Sequence, residues 1–201
     1  MKIDRRINRT RNNLIKALRD LILEKGYEDI KLQEIIDKAD VGRTSFYSHF
    51  KSKEDLLLSN FESFESVFET EFLKQTTKKS EDFSAEEVMN DEIAAFSLHM
   101  FQHIKKNWQL AKLLMGNKRL LFIRNHVERK IYTFFKVALA TEKKNIKNDE
   151  LECFASMAAG SLVAITLNWF TMRHPTSPEK LSQIFNENMV FIRSSPTKNV
   201  H

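Results

Sequence analysis

Residues 40–56 read DVGRTSFYSHFKSKEDL. A helix begun at Arg43 and advanced 100° per residue brings Phe46 and Phe50 within about 40° of each other. Those two rings form an inward face, predicted to lock against Leu18, Leu32 and Ile36. Thr44 and Ser48 fall roughly opposite, flanked by Ser45 and Tyr47. The outward face is therefore small and hydrogen-bonding, which lets a backbone come close to another polar surface. Asp40–Gly42 is predicted to be the turn that leads in. Ser52, with Asp55 three positions on, has the pattern of a capping box and opens a further helix. The rival reading is an ordinary solvated helix with charged ends.

The residues upstream favour the first reading. Ile7, Leu14, Ile15, Leu18, Leu21 and Ile22 fall on one helical stripe, with Arg5, Arg6, Arg9 and Arg11 at its start. Gly26 supplies the left-handed residue that often follows a helix end. A short helix follows, with Leu32, Ile35, Ile36 and Ala39 inward. Two short helices joined by a turn of about three residues make a helix-turn-helix. Charge agrees. From Met1 to Lys53 there are thirteen Lys or Arg against eight Asp or Glu, while the whole-chain totals are 32 and 27. The remainder is balanced, so all the excess positive charge sits in the first quarter, which points to a polyanionic partner for that module. Arg43 at a helix start offers a fork suited to guanine O6 and N7, worth about 1–3 kcal/mol of discrimination. Tyr47, His49 and Lys53 offer donors for phosphate oxygens.

The run LRDLILEKGYEDIKLQEIIDKADVGRTSFYSHFKSKEDLL resembles the DNA-binding domain of the TetR family of bacterial transcriptional regulators, over residues 9–56. That resemblance implies base reading by Arg43, Thr44 and Ser45, with Gln33 from the preceding helix, and phosphate contacts from Tyr47, His49 and Lys53. Two positions depart from the family's usual form. Lys31 stands where threonine often caps the second helix; it can reach phosphate but cannot accept the capping bond, so Asp29 is expected to cap or the helix to fray. Asp40 stands where the turn usually has glycine.

The other three quarters are read from composition. The chain has 201 residues, four glycines and three prolines, of which the first is Pro175. Such scarcity favours helix nearly throughout and leaves no phosphate-cradling loop of the GxGxxG or GxxxxGK[ST] type. Helices are expected from Ser52 to about Thr76, Ser84 to Lys106, Gln109 to Met115, Lys118 to Thr141, Glu150 to Met172 and Pro178 to Arg193. The predicted class is all-α: an N-terminal three-helix bundle with a helix-turn-helix (1–52), then a larger helical regulatory and dimerisation domain (53–194) and a frayed tail (195–201). A single cysteine, Cys153, points to a reducing compartment. The start MKIDRRINRTRNN lacks a secretory apolar run, and no stretch reaches 18 uncharged apolar residues, so a cytoplasmic protein without a membrane span is expected.

Phenylalanine is abundant, with 16 copies. Phe64, Phe68, Phe96, Met100, Phe122 and Trp169 are candidates to line a cavity for a small effector, with His103 and Asn168 orienting it if buried; packing as ordinary core is the plainer alternative. His99 and His103 have the i, i+4 spacing of two metal ligands, but no third ligand stands at diagnostic spacing, so neither metal nor cofactor is expected. No nucleophile motif or carboxylate pair argues for an enzyme. Phe154, Met157, Leu162 and Ile165 on one helix, and Ile184, Phe185 and Met189 on the next, give apolar surface on more than one side. The family precedent makes those two helices a homodimer interface, placing two reading helices about 34 Å apart on a palindromic duplex. The expected function is a repressor released by a small ligand. The rival readings are a co-regulator whose body docks a protein, and a helical enzyme whose basic head serves another anion.

Overall fold

The computed structural model describes residues 2–59, 85–142, 146–172 and 176–194, all helices and their connections. The aromatic positions Phe64 and Phe68, the polar segment after Thr76 and the tail beyond Ser194 lie outside the described residues. The chain divides into two compact units. The first holds Met1–Thr70 together with Gln109–Asn117, and the second Glu71–Trp108 with Lys118–His201. The first unit thus continues past residue 52 and takes in a segment from the middle of the chain.

In the first unit, α1 (Lys2–Lys25) buries Leu14, Ala17, Leu18, Leu21 and Ile22. Ile7 was expected on that stripe but is 47% exposed, so the core-facing run starts only at Leu14. Gly26 ends the helix with φ 82°, its N–H donating to the Ile22 carbonyl at 2.9 Å. The next helix, α2 (Leu32–Ala39), buries Ile35, Ile36 and Ala39 and leaves Leu32 half-buried. Its start does not fray, and Asp29 is not what holds it. The Lys31 N–H donates to Glu34 Oε2 at 2.8 Å, and the Glu34 N–H donates to the Lys31 carbonyl at 3.1 Å. Glu34 also pairs with Lys25, which fastens the end of α1 to the start of α2. The Lys25 bond first, and the Lys31 N–H after it, hold the Glu34 carboxyl below its usual range.

The turn after α2 falls at Asp40–Gly42, as expected. Its left-handed residue is Asp40 (φ 53°, ψ 53°), the one non-glycine with positive φ among the described residues. Asp40 N–H donates to the Asp37 carbonyl and Val41 N–H to that of Ile36, both at 3.2 Å, which closes the helix end. Gly42, by contrast, has ordinary extended geometry (φ −77°, ψ 153°), and a Cβ there would meet nothing closer than 3.9 Å. The short α3 (Arg43–Tyr47) follows, and a last turn carries the chain to Phe50 through a Phe50 N–H to Phe46 carbonyl bond of 2.9 Å. A fourth helix, α4, is described over residues 53–59. Ser52 Oγ accepts the Asp55 N–H at 3.1 Å, while the Asp55 carboxylate reaches back to the Lys51 N–H at 2.8 Å.

In the second unit, α5 (Ala85–Lys106) packs along α9 (Pro178–Ser194), and α7 (Leu121–Glu142), entered through a 3-10 turn at Lys118–Leu120, packs along α8 (Asn148–Trp169). Between α5 and α7 the chain forms α6 (Trp108–Met115), of which all but Trp108 belongs to the first unit. The α5–α9 contact is pinned by polar groups. The Ser97 and Ser182 hydroxyls lie 2.6 Å apart, and the Asn186 amide donates to both. By length and composition alone α8 is long and apolar enough to cross a membrane, a test that the core helix of a soluble protein also passes. Its core face is Leu151, Ala155, Ala158, Ala159, Leu162, Val163, Thr166 and Trp169. Outside that face α8 also carries apolar side chains, Met157 being 51% exposed.

A residue with a Cβ at positive φ stores local strain that glycine does not have. Asp40→Gly is therefore expected to stabilise the first unit by about 0.5–1 kcal/mol, seen as a raised urea midpoint, whereas Asp40→Val should lower it. A lowered midpoint for the glycine variant would mean that the aspartate side chain holds the turn.

Candidate nucleic-acid interface

The head is organised by what α3 and the turn after it bury. Phe46 is wholly buried and Phe50 nearly so, their rings 6.0 Å apart, in the same interior as Leu14, Leu18, Ile22, Ile35 and Ile36. With that face spent on the core, Arg43, Thr44, Ser45, Tyr47 and Ser48 are all exposed. The Ser48 hydroxyl turns back to the Ser45 carbonyl at 2.8 Å, so it serves the end of the helix. The Thr44 and Ser45 side chains stand small on the surface, as the sequence pattern requires. The Arg43 guanidinium lies 6.0 Å from the Tyr47 ring centre, one turn along, and Tyr47 meets Phe46 edge-on at 5.3 Å. An aromatic plate of this kind restricts the arginine without consuming its N–H donors, leaving a planar fork directed outward. His49 is half-buried beside Phe50. Arg11 of α1 covers the Phe50 ring at 5.5 Å.

The two lysines expected at phosphates sit differently from each other. Lys31 is exposed at the start of α2, as expected of a residue that reaches outward. Lys53 is not: its ammonium is turned onto the main chain, donating to the Tyr27 carbonyl at 3.1 Å and the Ile30 carbonyl at 2.8 Å, 4.2 Å from the Tyr27 ring centre. The buried Tyr27 hydroxyl donates to Glu54 Oε1 at 3.2 Å. Burial, and then the Glu54 charge and hydrogen bond, raise the Tyr27 hydroxyl above its ordinary range, so it stays a donor. For Glu54, partial burial pulls its carboxyl upward, but donation from its own N–H, from Ser52 and from Tyr27 outweighs that and holds it low. Lys53, Glu54 and Tyr27 thus form a clasp between the start of α4 and the connection from α1 to α2. No local periodicity reveals it, because the partners are 23 to 27 residues apart.

Gln33 is exposed on α2, its amide Nε2 donating to Asp37 Oδ1 at 2.8 Å. The arrangement is a two-helix corner with a small polar face and an arginine fork outward, on the part of the chain that carries the whole excess of positive charge.

Comparison with known proteins agrees with this geometry. Residues 14–59 match the family model described as bacterial regulatory proteins, tetR family, and residues 91–190 match a transcriptional regulator C-terminal region model of the same family. The chain belongs to the TetR family. Over 57 residues, 28% of the chain, it is 44% identical to the uncharacterized HTH-type transcriptional regulator YxbF of Bacillus subtilis, of whose length that match spans only 15%. A solved structure assigned to the TetR family, from Syntrophomonas wolfei, superposes with a TM-score of 0.71 at 16% identity, covering 96% of this chain and 98% of that one. The Bacillus subtilis regulator FadR, solved in complex with stearoyl-CoA, gives 0.61 at 19% identity, covering 89% and 96%. At these identities the two structures speak for the shared fold.

The TetR-family body distributes the remaining candidates unevenly. Phe96 and Met100 are buried, and Phe96 stacks on Phe134 with ring centres 4.1 Å apart and meets Phe135 edge-on. Trp169 is fully buried in a second aromatic group, 4.8 Å from Trp108 and 5.9 Å from Phe101, its indole N–H donating to the Thr176 carbonyl at 2.9 Å. Phe122 is half-buried. His103 and Asn168 are exposed and so stand outside this interior, His103 lying beside Asn107. Among the described residues no group of three or more His, Cys, Asp or Glu comes together to hold a metal. Of the expected dimer contacts, Met157 and Ile184 are exposed and Phe154 and Ile165 half-buried, whereas Leu162, Phe185 and Met189 are buried within the protomer.

Lys53→Met keeps the side-chain stem and deletes the donors, taking one partner from the Ile30 carbonyl and leaving the Tyr27 carbonyl with the Ile30 N–H at 3.3 Å. The expected cost to the DNA-free protein is about 1–3 kcal/mol, measured as a lowered unfolding midpoint. An unchanged midpoint combined with weakened duplex binding would return Lys53 to the phosphate backbone.

Proposed function

We propose that this TetR-family regulator is a repressor, acting as a homodimer on a palindromic operator and released by a small-molecule effector held in the helical body. The observation that carries the proposal is the division of α3 and the turn after it: Phe46 and Phe50 occupy the core while Arg43, Thr44 and Ser45 stand on the surface. In this reading Arg43 takes guanine O6 and N7 in the major groove, Thr44, Ser45 and Gln33 contact neighbouring base edges, and Tyr47, His49 and Lys31 donate to phosphates. The excess charge of the first quarter supplies the sequence-independent part of affinity.

The body supports the other half of the reading. Met157 and Ile184 leave apolar surface on α8 and α9, which a second copy would cover in a self-complementary seam. Such a seam sets the two α3 helices about one helical turn of DNA apart. The aromatic interior around Phe96 and Phe134 supports a small apolar or aromatic effector, and FadR of Bacillus subtilis has been solved with an acyl-CoA. An effector releases the operator only if it binds better to the dimer shape that fits DNA poorly. Such a protein works in the cytoplasm, alongside the chromosome.

Selection from random duplex DNA tests the reading. The expected product is a two-fold symmetric site with half-site centres about 34 Å apart, and log affinity falling linearly with log salt. Arg43→Ala should flatten the preference at one position per half-site while leaving the salt slope nearly unchanged. A selected site without symmetry, or Arg43→Ala with the wild-type preference, overturns it.

A further inference from the structure

The hydrogen bond between Gln33 and Asp37 spans one turn of α2, and both residues are exposed. Neither side chain contributes to the core, which on this helix is Ile35, Ile36 and Ala39. Its polarity is fixed by chemistry. A carboxylate only accepts hydrogen bonds, so the glutamine must present its amino end to Asp37. The amide then has its Oε1 acceptor and one N–H left over.

That remainder is selective in a way that a lone glutamine is not. Adenine shows the major groove an N6–H donor beside the N7 acceptor, whereas guanine shows two acceptors, O6 and N7. An unconstrained glutamine can turn its amide to give two N–H donors to guanine, or one donor and one acceptor to adenine. With one N–H tied to Asp37, the two-donor option is lost, and Oε1 would face guanine O6 oxygen to oxygen. The acceptor-donor pair that survives matches adenine.

Resting on the DNA-reading function proposed above, we infer that Asp37 is a positioning residue that holds Gln33 in the orientation reading adenine and rejecting guanine at one position of each half-site. Asp37 touches no base in this arrangement. Its negative charge repels phosphates whatever the sequence, so removing it raises affinity for every duplex. Its positioning role shows instead as a change of preference confined to one base pair. That distinction separates it from a merely electrostatic or structural effect.

The experiment is duplex selection, followed by fluorescence anisotropy on the selected site and its single-base variants, for the full chain and for Gln33→Ala, Asp37→Ala and Asp37→Glu. The wild type is expected to prefer adenine over guanine at one half-site position by about 5-fold to 100-fold, and Asp37→Ala to reduce this to within about threefold while binding all duplexes more tightly. Gln33→Ala should abolish preference at the same position and no other. Asp37→Glu, which keeps an accepting carboxylate in reach, should restore most of it. Wild-type preference retained in Asp37→Ala overturns the positioning role, as does a Gln33→Ala protein with every position unchanged. In both cases the Arg43-dependent position would survive, so the broader function would stand. A wild-type protein with no preference for any duplex would instead overturn the DNA-reading function and this inference with it.

Discussion

The head of this protein depends on the burial of two phenylalanines, one in the short α3 and one in the turn that follows it. Phe46 and Phe50 are one turn apart, and each removes a large apolar surface from water; truncating one such ring to alanine costs about 3–5 kcal/mol. A helix of five residues has almost no stability of its own. Its orientation is therefore set by these anchors and not by its backbone. Once they are inside, the rotation per residue leaves no freedom over which side chains face out. The surface of Arg43, Thr44 and Ser45 follows from the interior, and an unrelated residue at position 46 would lose both.

Around that anchor the chain uses polar groups to fix where elements begin and end. Glu34 closes the start of α2 and holds Lys25 of α1, while Asp40 takes the left-handed position that closes its end. Lys53 and Glu54, at the start of α4, grip the connection from α1 to α2 through the Tyr27 and Ile30 carbonyls and the Tyr27 hydroxyl. A lysine expected to meet DNA is also part of the joint that holds the connection between the head's first two helices to its fourth. A small bundle has a modest core, so such joints decide how rigidly it presents its surface.

Helix positions were legible because glycine and proline are scarce and the apolar spacing is regular; the observed ends of α6, α8 and α9 lie within about three residues of the expected ones. Family membership was legible because one stretch, within residues 9–56, resembles the TetR-family DNA-binding domain, while helical rotation gave only the inward and outward faces of its last short helix. What escaped the sequence was set by tertiary partners. The turn's place was legible, but not that its positive φ falls on Asp40 while Gly42 stays extended, since composition says which residues tolerate that conformation and not which one adopts it. The Lys53 clasp joins residues too distant for any spacing rule. On α8 and α9, periodicity marks apolar faces but cannot assign each to core or seam. Leu162, Phe185 and Met189 were taken by the protomer's own core, while Met157 and Ile184 were left outside.

The central claim is that the exposed face of α3 occupies the major groove, with Arg43 on a guanine. Dimethyl sulfate methylates guanine N7, which lies in that groove, so methylation protection of the bound operator tests the claim most directly. The account predicts protection of guanines in both half-sites, with Arg43→Ala restoring methylation at one guanine in each and leaving the others shielded. Unprotected guanines under saturating protein, or a protection pattern indifferent to Arg43, would contradict it.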